Sequence, residues 1–160
     1  MAHPVVYRGD MAALIKEWDA KYRKAWEENG WGGIRSLKIA NGQCARLPQE
    51  LTSVGHTSRW QPGERVVDVA RTLKPGTVIA NFLFEYDKMW YPNSHGWHAA
   101  LFVKGEDYST ATGKPNKIIM FDQWTGKAPT LRPVHNWPPH TEKTKEPANI
   151  ANDFFVVMVP

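Results

Sequence analysis

Between residues 11 and 28 apolar side chains recur at steps of three and four: Met11, Leu14, Ile15, Trp18, Tyr22, Ala25 and Trp26. That spacing lines one face of an α-helix. Asp10 stands where an N-cap is needed, and Asn29-Gly30 is a stop signal, so the pattern predicts an amphipathic helix over 11–28. A glycine-punctuated connection, GWGGIRSLKIANG, fills 30–42. A short helix is predicted from about Cys44 to Leu51, cut short or broken by Pro48. Residues 52–76 are rich in turn residues, with Pro62-Gly63 and Pro75-Gly76 as punctuation.

Beyond residue 76 the period changes. TVIANFLF (77–84), GWHAALFV (96–103), KIIMFDQW (117–124) and DFFVVMV (153–159) are β-branched and aromatic runs bounded by turn residues. Their connections lack the helical pattern that parallel crossovers need, so the four strands are expected to be antiparallel. The stretch from 125 to 152 reads as one long loop, rich in proline and charge, of the kind that is functional or mobile. Helices first and strands afterwards predict an α+β fold: N-terminal helices on one face of an antiparallel sheet of four or more strands. With 160 residues, the chain is read as a single domain, 1–160.

Composition narrows the chemistry. Eight tryptophans, five tyrosines and six phenylalanines exceed what a core of this size requires, which leaves rings for a binding groove. The net charge of +4 is mild, and no run of Lys or Arg forms a nucleic-acid arm. No stretch of about 18 consecutive apolar residues is present, so no membrane span is expected. The N-terminus, MAHPVVYRGDMAALIKEW, lacks the basic, apolar and small-residue succession of a signal peptide, so synthesis in a cytoplasm is expected. One cysteine cannot form an internal disulfide, which excludes a disulfide-stapled scaffold.

That cysteine, Cys44, lies in NGQCARLPQEL. A free thiol is mostly protonated at neutral pH; a helix N-terminus, or a basic partner, favours the thiolate. Gly42 upstream permits a sharp turn. His98 opens an otherwise apolar strand and Asp122 closes the next one. In antiparallel neighbours the start of one strand lies near the end of the other, so the two should meet. A thiol, an imidazole and a carboxylate so arranged are a nucleophile, a base and an orienting group. Each also has a plain reading, as a buried small side chain, a structural histidine and a turn residue. His56, His95 and His98 could suggest zinc, but His95-x-x-His98 is not the i, i+4 helical pair of a metallopeptidase and no glutamate stands beside it; neither metal nor cofactor is expected.

GQC at a helix start, HAAL on a strand and FDQW on the next strand resemble the NlpC/P60 cell-wall peptidases of the papain-like cysteine peptidase class. NGQCARL, HTSRWQPGERV, PGTVIANF, YPNSHGWHAALFV and IIMFDQWTGKAP, in that order over roughly residues 39–134, resemble bacterial type VI secretion amidase effectors. The resemblance implies a papain-like NlpC/P60 fold and hydrolysis of a peptide amide in peptidoglycan. It is nearest the branch that cuts the diaminopimelate–D-alanine cross-link; the branch cutting between D-glutamate and diaminopimelate stays open. Animal relatives carry signal peptides and disulfides, which this sequence lacks.

The expected catalytic residues are Cys44, His98 and Asp122, with the Cys44 backbone N–H as an oxyanion donor. Gln43, Tyr91, His95, Trp97, Gln123 and Trp124 are the expected oxyanion or substrate-binding residues, and Trp60 is a groove or core ring. A wall-degrading effector implies secretion machinery, delivery to a target-cell periplasm and a periplasmic immunity protein inserting a loop against Trp97, Trp124 and the 91–98 segment. A non-enzymatic wall-binding module and an acyltransferase or transglutaminase-like enzyme are the alternatives.

Overall fold

The structure, a computed structural model, describes residues 1–85, 87–136 and 146–160. Helix α1 spans Met11–Ser36. Asp10 caps it as expected, accepting from the Ala12 N–H at 2.9 Å. The predicted stop at Asn29-Gly30 is a kink instead: Gly30 takes φ 59°, ψ −143°, a conformation a side chain disfavours, and the helix resumes beyond it. Helix α2, Arg46–Leu51, begins two residues after Cys44. Pro48 occupies its first turn, where the missing N–H has no intrahelical acceptor, so the proline does not break it.

A seven-stranded sheet follows, antiparallel in every pairing among the described residues. Its strands are β1 (His3–Pro4), β2 (Gln61–Arg65), β3 (Val78–Asn81), β6 (Ala99–Tyr108), β7 (Pro115–Trp124), β8 (Lys127–His135) and β9 (Phe154–Val159). The order is β1-β9-β3-β6-β7-β8, and β2 also pairs with β9. Helix α3, Val66–Val69, leads off β2. The predicted 77–84 run divides after Asn81, since β4 (Leu83–Glu85) leaves the sheet to form its own hairpin with β5 (Lys88–Trp90).

The expectation that helices cover one face is corrected. Alternate residues of the central strands enter two separate cores. Val78, Ala80, Ala99, Leu101 and Phe121 face the side of α1 and α2, with Met11, Leu14 and Leu47. Ile79, Ala100, Phe102, Ile118 and Met120 face the other side, which α3 residues Val66 and Val67 close together with Ala151 and Phe154. Cover on both faces explains why the strands read as continuous apolar runs rather than alternating ones.

The long loop of 125–152 is also corrected: its first part is β8. Pro129 and Pro133 disguised it, and they are tolerated because β8 is the last strand in the order and pairs only with β7. Residues 137–145 of that loop lie outside the described residues. Among those described, no helix is long and apolar enough to cross a membrane.

Candidate active site

Cys44 lies in the turn between α1 and α2 rather than on the helix itself. Gly42, at φ 87°, turns the chain just before it. The helix that follows is only six residues long. The groups around the sulfur therefore matter more than a helix dipole: the Tyr91 hydroxyl lies 3.4 Å from Sγ and the Trp97 carbonyl oxygen 3.8 Å. Burial pushes the Cys44 thiol up, but hydrogen bonding and charge from His98, then the Tyr91 hydroxyl and the Ala99 backbone, carry it below its ordinary value. Burial and the adjacent sulfur push the Tyr91 hydroxyl far upward, which keeps it neutral and able to donate to a thiolate.

His98 precedes β6 and is 3 % exposed. Its Nε2 lies 2.7 Å from Asp122 Oδ2. An imidazole that donates from Nε2 to a carboxylate keeps Nδ1 free to exchange a proton with a thiol. Burial lowers the His98 value, but bonding to Asp122 and Cys44 outweighs it, and the net direction is upward. Asp122 is fully buried and has three partners: His98, Lys127 Nζ at 2.7 Å from Oδ1, and Arg132 Nε at 2.7 Å from Oδ2. Burial would raise its carboxyl; His98, Lys127 and Arg132 hold it well below the usual carboxylate range. A thiol shifted down and an imidazole shifted up both move toward a thiolate–imidazolium pair, the form suited to nucleophilic attack.

A groove of about 610 Å³ opens over this group. Gln43, Tyr91, His95, Trp97 and Trp124 all line it. Trp124 is 43 % exposed, stands edge-on to His98 at 5.9 Å between ring centroids, and has the cations of Lys127 and Arg132 near its ring. His95 is exposed at the rim, 3.1 Å from Glu146. Trp60 belongs to the core: it is 2 % exposed and packs against Tyr91 with the rings tilted by 50° and their centroids 5.0 Å apart.

Gln123 is corrected. It is fully buried, accepts from the Ile39 N–H at 2.8 Å and donates to the Ile39 and Gln43 carbonyls at 2.9 and 3.0 Å. Successive strand residues point to opposite faces. Asp122 and Trp124 share the face of His98, and Gln123 points the other way, where it holds the turn that carries Cys44. No substrate can reach it.

Three residues that bond to His98 or Asp122 are not singled out by the sequence reading. Asn81 is fully buried; its backbone N–H donates to the His98 carbonyl and its Oδ1 accepts from the His98 N–H, at 2.9 and 3.0 Å. Its Nδ2 donates to the Pro147 and Asp153 carbonyls. The signal was an asparagine inside an apolar strand, which needs buried partners. Lys127 and Arg132 lay in what read as a loop. Burial lowers the Lys127 ammonium while Asp122 opposes the shift.

A thiol, a buried imidazole and a buried carboxylate converge at one end of an antiparallel sheet beneath an aromatic groove, and side chains of these types in this order are chemically able to act as nucleophile, base and orienting group. Residues 31–157 match the model of the family described as "Domesticated amidase effector 2". The chain belongs to that amidase-effector family. It is also similar to a solved structure of "Type 6 secretion amidase effector 2 (Tae2)", with 26 % identity over 82 % of this chain and 93 % of that one, at a TM-score of 0.59. No curated protein matches. The family match begins near the Gly30 kink, so the first arm of α1 lies outside it.

Proposed function

We propose that the protein is a cysteine amidase that hydrolyses a peptide amide of bacterial peptidoglycan. Within that chemistry, the resemblance to effectors that cut the diaminopimelate–D-alanine cross-link makes this bond the proposed target. The observation that carries the reading is the Cys44–His98–Asp122 convergence at the groove, within a chain of the amidase-effector family. The papain-like NlpC/P60 assignment belongs to the same proposal.

Cys44 attacks the amide carbonyl as thiolate. His98, protonated at Nδ1 by the thiol, delivers that proton to the leaving amine, and the acyl-enzyme forms as the C–N bond breaks. Water then attacks the thioester carbonyl with His98 as base, releasing the carboxylic acid and restoring the thiol–imidazole pair. Asp122 fixes the imidazole through Nε2. The Cys44 N–H has no acceptor among the described residues and serves the oxyanion, with the Tyr91 hydroxyl as a second donor. Gln43, His95, Trp97 and Trp124 line the path of the stem peptides.

An effector of this kind works in the periplasm of a target cell after transfer by secretion machinery, and its producer needs a periplasmic immunity protein that occludes the groove. The test is expression in a Gram-negative host with and without an added periplasmic signal peptide. Lysis is expected only with the signal peptide and only with Cys44 intact. Equal toxicity from cytoplasmic expression would overturn the wall-directed reading.

A further inference from the structure

The carboxylate of a nucleophile–base–orienter group needs one partner, the imidazole. Asp122 has two more, and both are cations. Lys127 Nζ reaches Oδ1 at 2.7 Å and Arg132 Nε reaches Oδ2 at 2.7 Å, the same oxygen that receives His98. Most of their donors are spent inside the protein, although Arg132 also lines the groove. The three protons of Lys127 go to Asp122 Oδ1, the Asp122 carbonyl and the Ala128 carbonyl. Arg132 also donates to Asn149 Oδ1 and the Ala148 carbonyl and touches Met120 Sδ. The ladder between β7 and β8 slips by one residue between Asp122 and Trp124, next to this cluster, as bulges beside functional groups do.

We propose that Lys127 and Arg132 are positioning residues that fix the Asp122 carboxylate beneath His98 and balance its charge, so that the Cys44–His98 ion pair forms against a positive background. Thiolate, imidazolium, carboxylate and two cations leave one net positive charge; without the cations the same group carries one net negative charge. A negative background opposes the thiolate and over-stabilises the imidazolium, which then gives up its proton reluctantly to the leaving amine. The other groups facing His98 do not supply this balance. Tyr91 stays neutral, the Trp124 and Phe154 rings carry no charge, and Glu146 is engaged with His95 at the rim. Full burial of Asp122 gives the effect its reach, because charges in a water-poor site are weakly screened.

The inference rests on the proposed Cys44–His98 mechanism, and one experiment separates the two. Cys44 is the sole cysteine, so alkylation by iodoacetamide reports its thiolate alone, with no need for hydrolysis. Rates are measured from pH 4 to 10 for the wild type, Lys127→Gln, Arg132→Gln and the charge-keeping Lys127→Arg, alongside digestion of purified peptidoglycan. The neutral variants should move the Cys44 transition alkaline by about half to one pH unit, so that below it alkylation slows about three- to tenfold. Lys127→Arg should retrace the wild-type profile. A neutral variant that loses wall hydrolysis while its alkylation profile stays in place, or moves acidic, would overturn the proposal and leave a structural role. If Lys127→Gln or Arg132→Gln does not fold, a displaced profile in folded Lys127→Arg would refute it equally. Shifted profiles in the neutral variants, beside a wild type that leaves peptidoglycan intact, would reject the wall-hydrolase reading and keep the clamp.

Discussion

Replacing Gln123 by leucine should loosen the turn that presents Cys44 without touching the groove surface. Leucine fills most of the volume but offers no polar atom. Three hydrogen bonds disappear, and the Ile39 N–H, the Ile39 carbonyl and the Gln43 carbonyl each lose a partner. A buried backbone group left unpaired costs about 1–3 kcal/mol. Only the Ile39 N–H is orphaned, because the Ile39 carbonyl still accepts from the Gly42 N–H and the Gln43 carbonyl from the Arg46 N–H; with two further hydrogen bonds lost at about 0.5–1.5 kcal/mol each, the total should be about 3–4 kcal/mol. For a chain of this length, about 2–4 °C per kcal/mol, the melting temperature should fall by roughly 6–16 °C. Displacing a nucleophile by about 1 Å can cost 100-fold in turnover, so kcat on peptidoglycan should drop by that order while the folded variant still binds the wall. Differential scanning calorimetry and a turbidity assay on purified walls measure both quantities. A Gln123→Leu protein that melts within about 2 °C of wild type and hydrolyses walls at full rate would refute the idea that Gln123 holds the nucleophile turn.

Asp122→Asn should keep the fold and lower kcat by about 10³–10⁴, because an amide favours the wrong imidazole tautomer and leaves two cations without their carboxylate; stopped-flow acylation by an activated ester checks it. Gly42→Ala should destabilise by about 1–2 kcal/mol, since φ 87° opposes a Cβ, with the midpoint of urea unfolding as the readout. Activity against pH should be bell-shaped: thiolate is lost as pH falls through the lowered Cys44 value, and imidazolium is lost as pH rises through the raised His98 value. A profile governed by a single rising limb near the ordinary thiol range would contradict that order. The Asp122 carboxyl is depressed on folding, so its stabilisation is complete above about pH 5 and disappears as pH falls through the folded value; the stability gap between wild type and Asp122→Asn should narrow from pH 6 to pH 2.

The site was legible where chemistry-bearing residues interrupt an apolar pattern. Cys44, His98 and Asp122 stand at turn and strand ends, where strand-end geometry alone predicts that the last two meet. Gln123 is expected in the groove because it stands between Asp122 and Trp124 in sequence, but strand alternation sends it to the opposite face. Strand β8 was hidden by Pro129 and Pro133, and with it Lys127 and Arg132; only the sheet order reveals that an edge position accepts those prolines. Helix α1 runs through Gly30 because the glycine bends the chain without ending the helix, a distinction that residue type does not carry. The second apolar cover, from α3 and Ala151, was missed because a four-residue helix and a single turn leave no periodic trace.

The central claim is that Cys44 is the nucleophile of a peptidoglycan amidase. Its most direct test is digestion of purified, cross-linked peptidoglycan by wild type and by Cys44→Ala, with the soluble fragments separated and weighed by mass spectrometry. The account predicts that wild type converts cross-linked dimers into monomers, each cleavage adding one water and freeing one amine, and that Cys44→Ala leaves the dimers intact while remaining folded. Dimers lost at equal rates with both proteins would contradict the account, as would walls unchanged by wild type under conditions where its thiol is alkylated readily.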